Sequence, residues 1–193
     1  MIESKEELRE YLCRDMAFYY TQSKRERIIC ALTQDPAYRI AQYIRFLRKE
    51  EYYYNVRKDL PGKVAYLYWL SRKNRLGNML GFKIPHNCIG PGLTIYHHGG
   101  IIINEEARIG ADCKLHGSNC IGNKGAGGSA PVVGDGLDLG VGACIIGDVT
   151  LGDQVKIGAN AVVNRSFMGS NITLVGVPAK DVKATCVTDT KQA

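Results

Sequence analysis

Four histidines occur in the 193 residues, and two of them are adjacent in the run Tyr96-His97-His98-Gly99-Gly100; the others are His86 and His116. A neutral imidazole at pH 7 can take the proton of an attacking hydroxyl, work that typically contributes roughly 10²–10⁴-fold in rate. Glycines beside it let a substrate approach the backbone, where N–H groups can steady a developing oxyanion. On pattern alone two readings stand open: a general base, or polar corner residues with no proton to move. Metal chemistry is not expected. His97, His98 and His116 lack carboxylate or cysteine neighbours at ligand spacing, and the seven cysteines (13, 30, 88, 113, 120, 144 and 186) form no CxxC pair. An odd thiol count fits small, reduced, buried side chains.

What positions these histidines is a repeat. Aliphatic residues, usually followed by glycine, recur every sixth position: Ile89 and Ile95, then Ile103, Ile109, Leu115 and Ile121, then Val133, Leu139, Ile145, Leu151, Ile157 and Val163. Four residues after many of these anchors stands another small or apolar side chain, as at Ala107, Cys113, Val149 and Val155. Helices space apolar residues by three and four, and hairpin strands alternate by two, so neither fits. A six-residue unit suits a short flat strand plus a corner. Three units make a triangular coil of about 18 residues with the anchors stacked inside. The step is broken twice: by two extra residues around His97 and His98, and by residues 123–131 (NKGAGGSAP), which lack an inward anchor and are expected to leave the coil as a loop. Breaks in a regular scaffold are where function concentrates.

Before the repeat the composition changes. The first 80 residues carry 16 basic and 10 acidic side chains, the whole of the net +6, with 13 of the 16 aromatics, whereas most of the 22 glycines come later. Three helices are expected there. One opens at Ser4, with Glu7 at capping-box spacing and Leu8, Leu12 and Met16 following; one opens at Asp35-Pro36 with Tyr38, Ile40, Tyr43, Ile44 and Leu47; the third follows a break at Pro61-Gly62 with Val64, Leu67, Trp69, Leu70 and Leu76. The basic residues Arg39, Arg45, Arg48, Lys49, Lys63, Arg72, Lys73 and Arg75 read as a solvated face; anions, a membrane surface or RNA are the alternatives. The division expected is an α-helical domain over 1–80, a β-solenoid over 81–184 and a tail over 185–193.

The repeat, with IGANAVV (157–163) and GVPAK (176–180), resembles the left-handed parallel β-helix acyltransferases, a mainly β fold here preceded by helices. The run GPGLTIYHHGGIIIN (90–104) is similar to serine acetyltransferases, and closer still to the serine-acetyltransferase-like proteins of bacterial polysaccharide biosynthesis. The resemblance implies His97 as catalytic base with Glu105 after the apolar triplet, Tyr96, His98 and His116 toward the acceptor, and acetyl-CoA as co-substrate. Coenzyme A would lie beside Gly122, Gly142, Ala143 and Ala161, with Lys156 and Lys180 near its phosphates. It implies a homotrimer with sites between subunits. Three positions depart from the serine acetyltransferase pattern: Tyr96 replaces an aspartate, Phe82 or Lys83 stands where an aspartate orients the base, and Ser129-Ala130-Pro131 replaces an arginine and a histidine before the proline. These departures favour a sugar or polysaccharide precursor as acceptor. Serine itself, an amino sugar acylated at nitrogen, and a non-catalytic trimeric scaffold are the alternatives.

Composition near the globular average excludes disordered and collagenous chains. No apolar run reaches the roughly 18 residues that span a bilayer, and the start MIESKEELRE has no apolar signal core, so a soluble cytoplasmic protein that binds no nucleic acid is expected.

Overall fold

The computed structural model describes residues 1–19, 23–125 and 127–182; Cys186 and the tail expected over 185–193 lie outside the described residues. Among the described residues four helices precede the repeat: α1 (Lys5–Met16), α2 (Lys24–Thr33), α3 (Pro36–Val56) and α4 (Leu60–Leu80). Ser4 caps α1 by accepting from the Glu7 N–H, but the Glu7 carboxylate turns to the Glu3 N–H rather than back to Ser4. The reciprocal capping box sits one helix later, between Ser23 and Glu26, on a helix that the apolar periodicity does not announce. Asp35 caps α3 as expected, accepting from Ala37 and Tyr38. Pro61 does not break the chain. It occupies the first turn of α4, where its missing N–H has no intrahelical partner to lose.

α3 and α4 form the helical hairpin, and their packing corrects two expectations. Leu76 and Leu80 of α4 are buried, but Val64 and Leu67 are 61% and 60% exposed because the first half of α4 meets α3 through Tyr66 and Trp69 instead, which leaves Val64 and Leu67 on the outward side. Arg48 and Lys73 are not on a solvated face: they are 0% and 5% exposed, drawn inward by buried carboxylates.

After Gly81, which ends α4 in the left-handed conformation, the chain winds into a three-sided prism, the left-handed β-helix of its fold class. One face stacks β1 (Phe82–Lys83), β3 (Ile101–Ile103), β6 (Cys120–Gly122), β9 (Cys144–Ile146) and β12 (Val162–Val163). The second stacks β4 (Arg108–Ile109), β7 (Val132–Val133) and β10 (Thr150–Leu151). The third stacks β2 (Thr94–Ile95), β5 (Lys114–Leu115), β8 (Asp138–Leu139), β11 (Lys156–Ile157) and β13 (Thr173–Val175), closed by β14 (Lys180–Asp181). All twelve anchors are buried, none more than 5% exposed. Register confirms both breaks. Asp138 pairs with Lys156 in a regular coil, but Thr94 pairs with Lys114, two residues further than the regular step, and Lys114 with Asp138, six further. Residues 123–131 leave the coil between β6 and β7, as expected, with Ala126 outside the described residues.

The opening coil of such a prism has backbone N–H and C=O groups with no preceding coil to pair with. Side chains from the helices take that place. Tyr19 Oη donates to the Ile95 carbonyl at 2.7 Å and accepts from the Ile95 N–H at 2.8 Å. Asp15 accepts from the Gly92 and Leu93 N–H groups, while Arg48 donates to the Ile89 and Gly90 carbonyls and to Asp15 and Glu51. Glu51 accepts from Asn87 N, Lys73 donates to Glu50 and the Ile84 carbonyl, and Tyr43 Oη accepts from Ile84 N. At the far end β13 turns through GVPAK and pairs antiparallel with β14.

Candidate active site

His97 follows β2 at the corner between the third and first faces, where the two extra residues widen the coil. Its backbone neighbourhood is fixed from three sides. Tyr19 holds Ile95, Tyr96 N donates to the Leu115 carbonyl, and the end of α4 receives the corner, with Gly99 N donating to Leu80 O at 3.1 Å and Ile101 N to Gly81 O at 2.9 Å. Below it lies Gly117, in a left-handed conformation (φ +112°), where a Cβ would stand 3.5 Å from the His97 Cβ and carbonyl. The rings of His97 and His98 are exposed, and no hydrogen bond from a described residue reaches either imidazole.

One coil on, His116 has what His97 lacks. Its Nε2 is 2.8 Å from Asp138 Oδ1, and both side chains are one-third exposed. Tyr96 stacks on the imidazole with centroids 4.5 Å apart and planes 26° from parallel, and Phe18 meets Tyr96 edge-on at 5.1 Å. Tyr96, His97 and His116 thus share one corner. Buried Asn119 braces it, accepting from the Gly117 N–H and donating to the carbonyls of Gly140 and Ala143.

Glu105 is not brought to His97 within one chain. It is exposed at the opposite end of β3, about 10 Å of strand away. Ala143 and Ala161 are 0% and 1% exposed, their methyl groups facing the core, so at the outer wall these corners present backbone only. Gly142, at φ +72°, keeps its corner open because a Cβ would collide with the Asn160 side chain of the next coil. Gly122 lies on the first face, with Lys156 exposed on the third and Lys180 exposed on the returning strand β14. Among the described residues no cluster of His, Cys, Asp or Glu could hold a metal ion, and no helix is long and apolar enough to cross a membrane. The residues that sequence reasoning missed are Phe18, Tyr19, Asn119 and Asp138. For Asp138 a signal existed: carrying the stack of Ile95 over Leu115 one coil further places Leu139 next and Asp138 beside His116.

No protein-family model matches the chain. Among curated proteins it is 40% identical over 100 residues to a serine acetyltransferase of Helicobacter pylori (strain ATCC 700392 / 26695), which covers 51% of this chain and 58% of that one. It is 32% identical over 147 residues to the putative colanic acid biosynthesis acetyltransferase WcaB of Escherichia coli (strain K12), covering 75% of this chain and 85% of that one. Among solved structures, the serine acetyltransferase of Neisseria gonorrhoeae superposes with a TM-score of 0.68 at 27% identity, over 93% of this chain and 68% of that one. The soybean serine acetyltransferase apoenzyme gives 0.71 at 24%, over 92% and 70%. The chain spans about half the length of the curated serine acetyltransferases it matches, 58% of the Helicobacter pylori protein and 42% of one from Mycobacterium tuberculosis. A coiled prism of hexapeptides with a histidine at its widened corner defines a class, the hexapeptide-repeat acyltransferases. Within that class the chain belongs to the serine-acetyltransferase-like branch.

Proposed function

We propose that the chain is an acetyl-CoA-dependent O-acetyltransferase with His97 as general base. The observation that carries this reading is the corner itself: rigid backbone on three sides around an exposed imidazole. The imidazole takes the acceptor's hydroxyl proton as that oxygen attacks the thioester carbonyl. The carbon–sulfur bond then breaks, and the proton passes to the departing thiolate to give coenzyme A. Of the two corner glycines, Gly99 gives its N–H to Leu80, so the Gly100 N–H, which makes no backbone hydrogen bond among the described residues, is the donor this reading assigns to the oxyanion. Pantetheine suits a groove with no side chains in its way, as at Gly122 and Gly142, with Lys156 and Lys180 near the phosphates. Exposed Ile102 and Val132 on two flat faces support a homotrimer, and a neighbouring subunit would deliver Glu105 where this chain does not.

For the acceptor, the run of relatives named serine acetyltransferase weighs toward serine, ahead of the saccharide expected from the sequence. A saccharide remains the second reading. It is favoured by the Tyr96–His116 stack at the corner, which offers an aromatic wall, and by the colanic acid relative. Thiol release from acetyl-CoA with serine, sugars and amino sugars is the test. His97→Ala should lower turnover by roughly 10²–10⁴-fold while coenzyme A still binds. Unchanged turnover in that variant, or no acetyl transfer to any hydroxyl, refutes the proposal.

A further inference from the structure

The helical hairpin has a charge imbalance that folding creates. α3 and α4 together contain eight lysines and arginines but only two acidic residues, Glu50 and Glu51. Both acids are buried beneath the prism, where they serve Lys73, His86, Arg48 and Asn87. The two carboxylates that flank these helices are also engaged: Asp35 caps α3, and Asp59, in the connection to α4, pairs with Arg57. The outer side of the hairpin is therefore left cationic.

The cations are not scattered. Arg39, Gln42 and Phe46 fall at spacings of three and four along α3; Arg72, Arg75 and Met79 do so along α4. These two stripes line a cavity of about 260 Å³ together with Gln34 and Leu76. Phe46 forms its floor, and the Arg72 guanidinium carbon lies 5.3 Å from the centre of that ring. No carboxylate pairs with Arg39, Arg72 or Arg75 among the described residues.

We propose that this cleft binds a phosphate-bearing ligand, its diphosphate or phosphomonoester group bridging the guanidinium groups of Arg39, Arg72 and Arg75. Guanidinium is suited to this because its planar fork donates two parallel bonds to phosphate oxygens. Three cations held on two rigid helices need little ordering on binding. The apolar floor accepts a flat or aliphatic body attached to the phosphate. The cleft shares no lining residue with the His97 corner, which meets α4 at Leu80 and Gly81, and it is assigned as a second site.

The test is calorimetric titration of the full chain with inorganic pyrophosphate, alone and with coenzyme A saturating. One binding event that survives saturation with coenzyme A, and that weakens at least about tenfold in Arg72→Gln/Arg75→Gln, supports the proposal. The double variant should retain acetyl transfer, which separates failure of this site from failure of the acetyltransferase reading. Sedimentation with phosphatidylcholine vesicles, with and without an equal share of phosphatidic acid, whose headgroup is a phosphomonoester, identifies the source. Anionic vesicles that carry the chain down and release it to pyrophosphate place the phosphate on a headgroup; no sedimentation places it on a soluble ligand. Absence of pyrophosphate binding, binding abolished by coenzyme A, or binding indifferent to the arginine substitutions overturns the proposal.

Discussion

Replacing Arg48 with methionine isolates what the buried network contributes. Arg48 is fully buried and forms short hydrogen bonds to Asp15 (2.7 Å), Glu51 (3.0 Å), Ile89 O (2.8 Å) and Gly90 O (2.7 Å). Methionine fills much of the volume but leaves two carboxylates and two carbonyls without their donor. Asp15 keeps the Gly92 and Leu93 N–H groups and Glu51 keeps Asn87 N, so neither carboxylate is wholly stranded. Removing one partner of a buried ion pair costs about 3–5 kcal/mol. In a chain of this size that corresponds to roughly 6–20 °C in Tm. The mechanism makes a second demand. Adding Asp15→Asn and Glu51→Gln removes the uncompensated charge, so the triple variant should regain part of the loss although it carries more substitutions. Urea unfolding followed by circular dichroism, with equal m-values across the series, gives the comparison. A loss below about 1 kcal/mol in Arg48→Met, or a triple variant less stable than the single one, refutes the reasoning.

Tyr19→Phe removes the hydroxyl that serves both backbone groups of Ile95, at a cost of about 1–3 kcal/mol for each group left unsatisfied; hydrogen exchange at the Ile95 amide should speed up more than at Leu115, and equal acceleration counts against a local role. Asp138→Asn should raise KM for the acceptor more than it lowers kcat, because Asp138 orients His116 and not His97; steady-state kinetics with His116→Gln in parallel reads this, and an effect confined to kcat contradicts it. Burial pushes the thiols of Cys88 and Cys113 up to about 12, whereas Cys13 is exposed. Thiolate is the reactive form and increases as pH rises through the pKa, so at pH 8 only about 10⁻⁴ of those two thiols is reactive. A chromogenic disulfide should label Cys13 promptly and Cys88 and Cys113 only after unfolding. Gly110→Ala places a Cβ 2.7 Å from the Gly134 carbonyl carbon of the next coil, backbone that cannot yield; a loss of about 1–3 kcal/mol is expected in thermal unfolding.

The prism was legible in the residues because its rule is local. Each anchor such as Leu115 or Ile157 sits one unit from the next, so spacing alone identifies the inward side. The widened corner at His97 showed up the same way, as a miscount of two. What the residues did not reveal comes from contacts distant in the chain. Arg48 and Lys73 look like any surface cations until Asp15, Glu50 and Glu51 are folded against them. Tyr19 acquires its role from Ile95, 76 residues away. Ala143 and Ala161 are small, which suited a groove, yet in the repeat they stand four after Leu139 and Ile157, a position that is buried in the regular coils, as at Ala107, Cys113, Val149 and Val155. The pairing of His116 with Asp138 crosses the 123–131 loop, so it is found only by following the coils rather than the sequence.

The way the two ends of the prism are finished bears on how the chain behaves outside its native state. At the front, phenol, guanidinium and carboxylate groups occupy backbone places a neighbouring strand would want; at the back, a reversed strand covers one of the three faces. A chain cut free of its helices would bare a ladder of hungry amides on a flat, stackable surface, and such surfaces template fibrils. The helices would then act as a plug against runaway polymerisation, whatever else they bind.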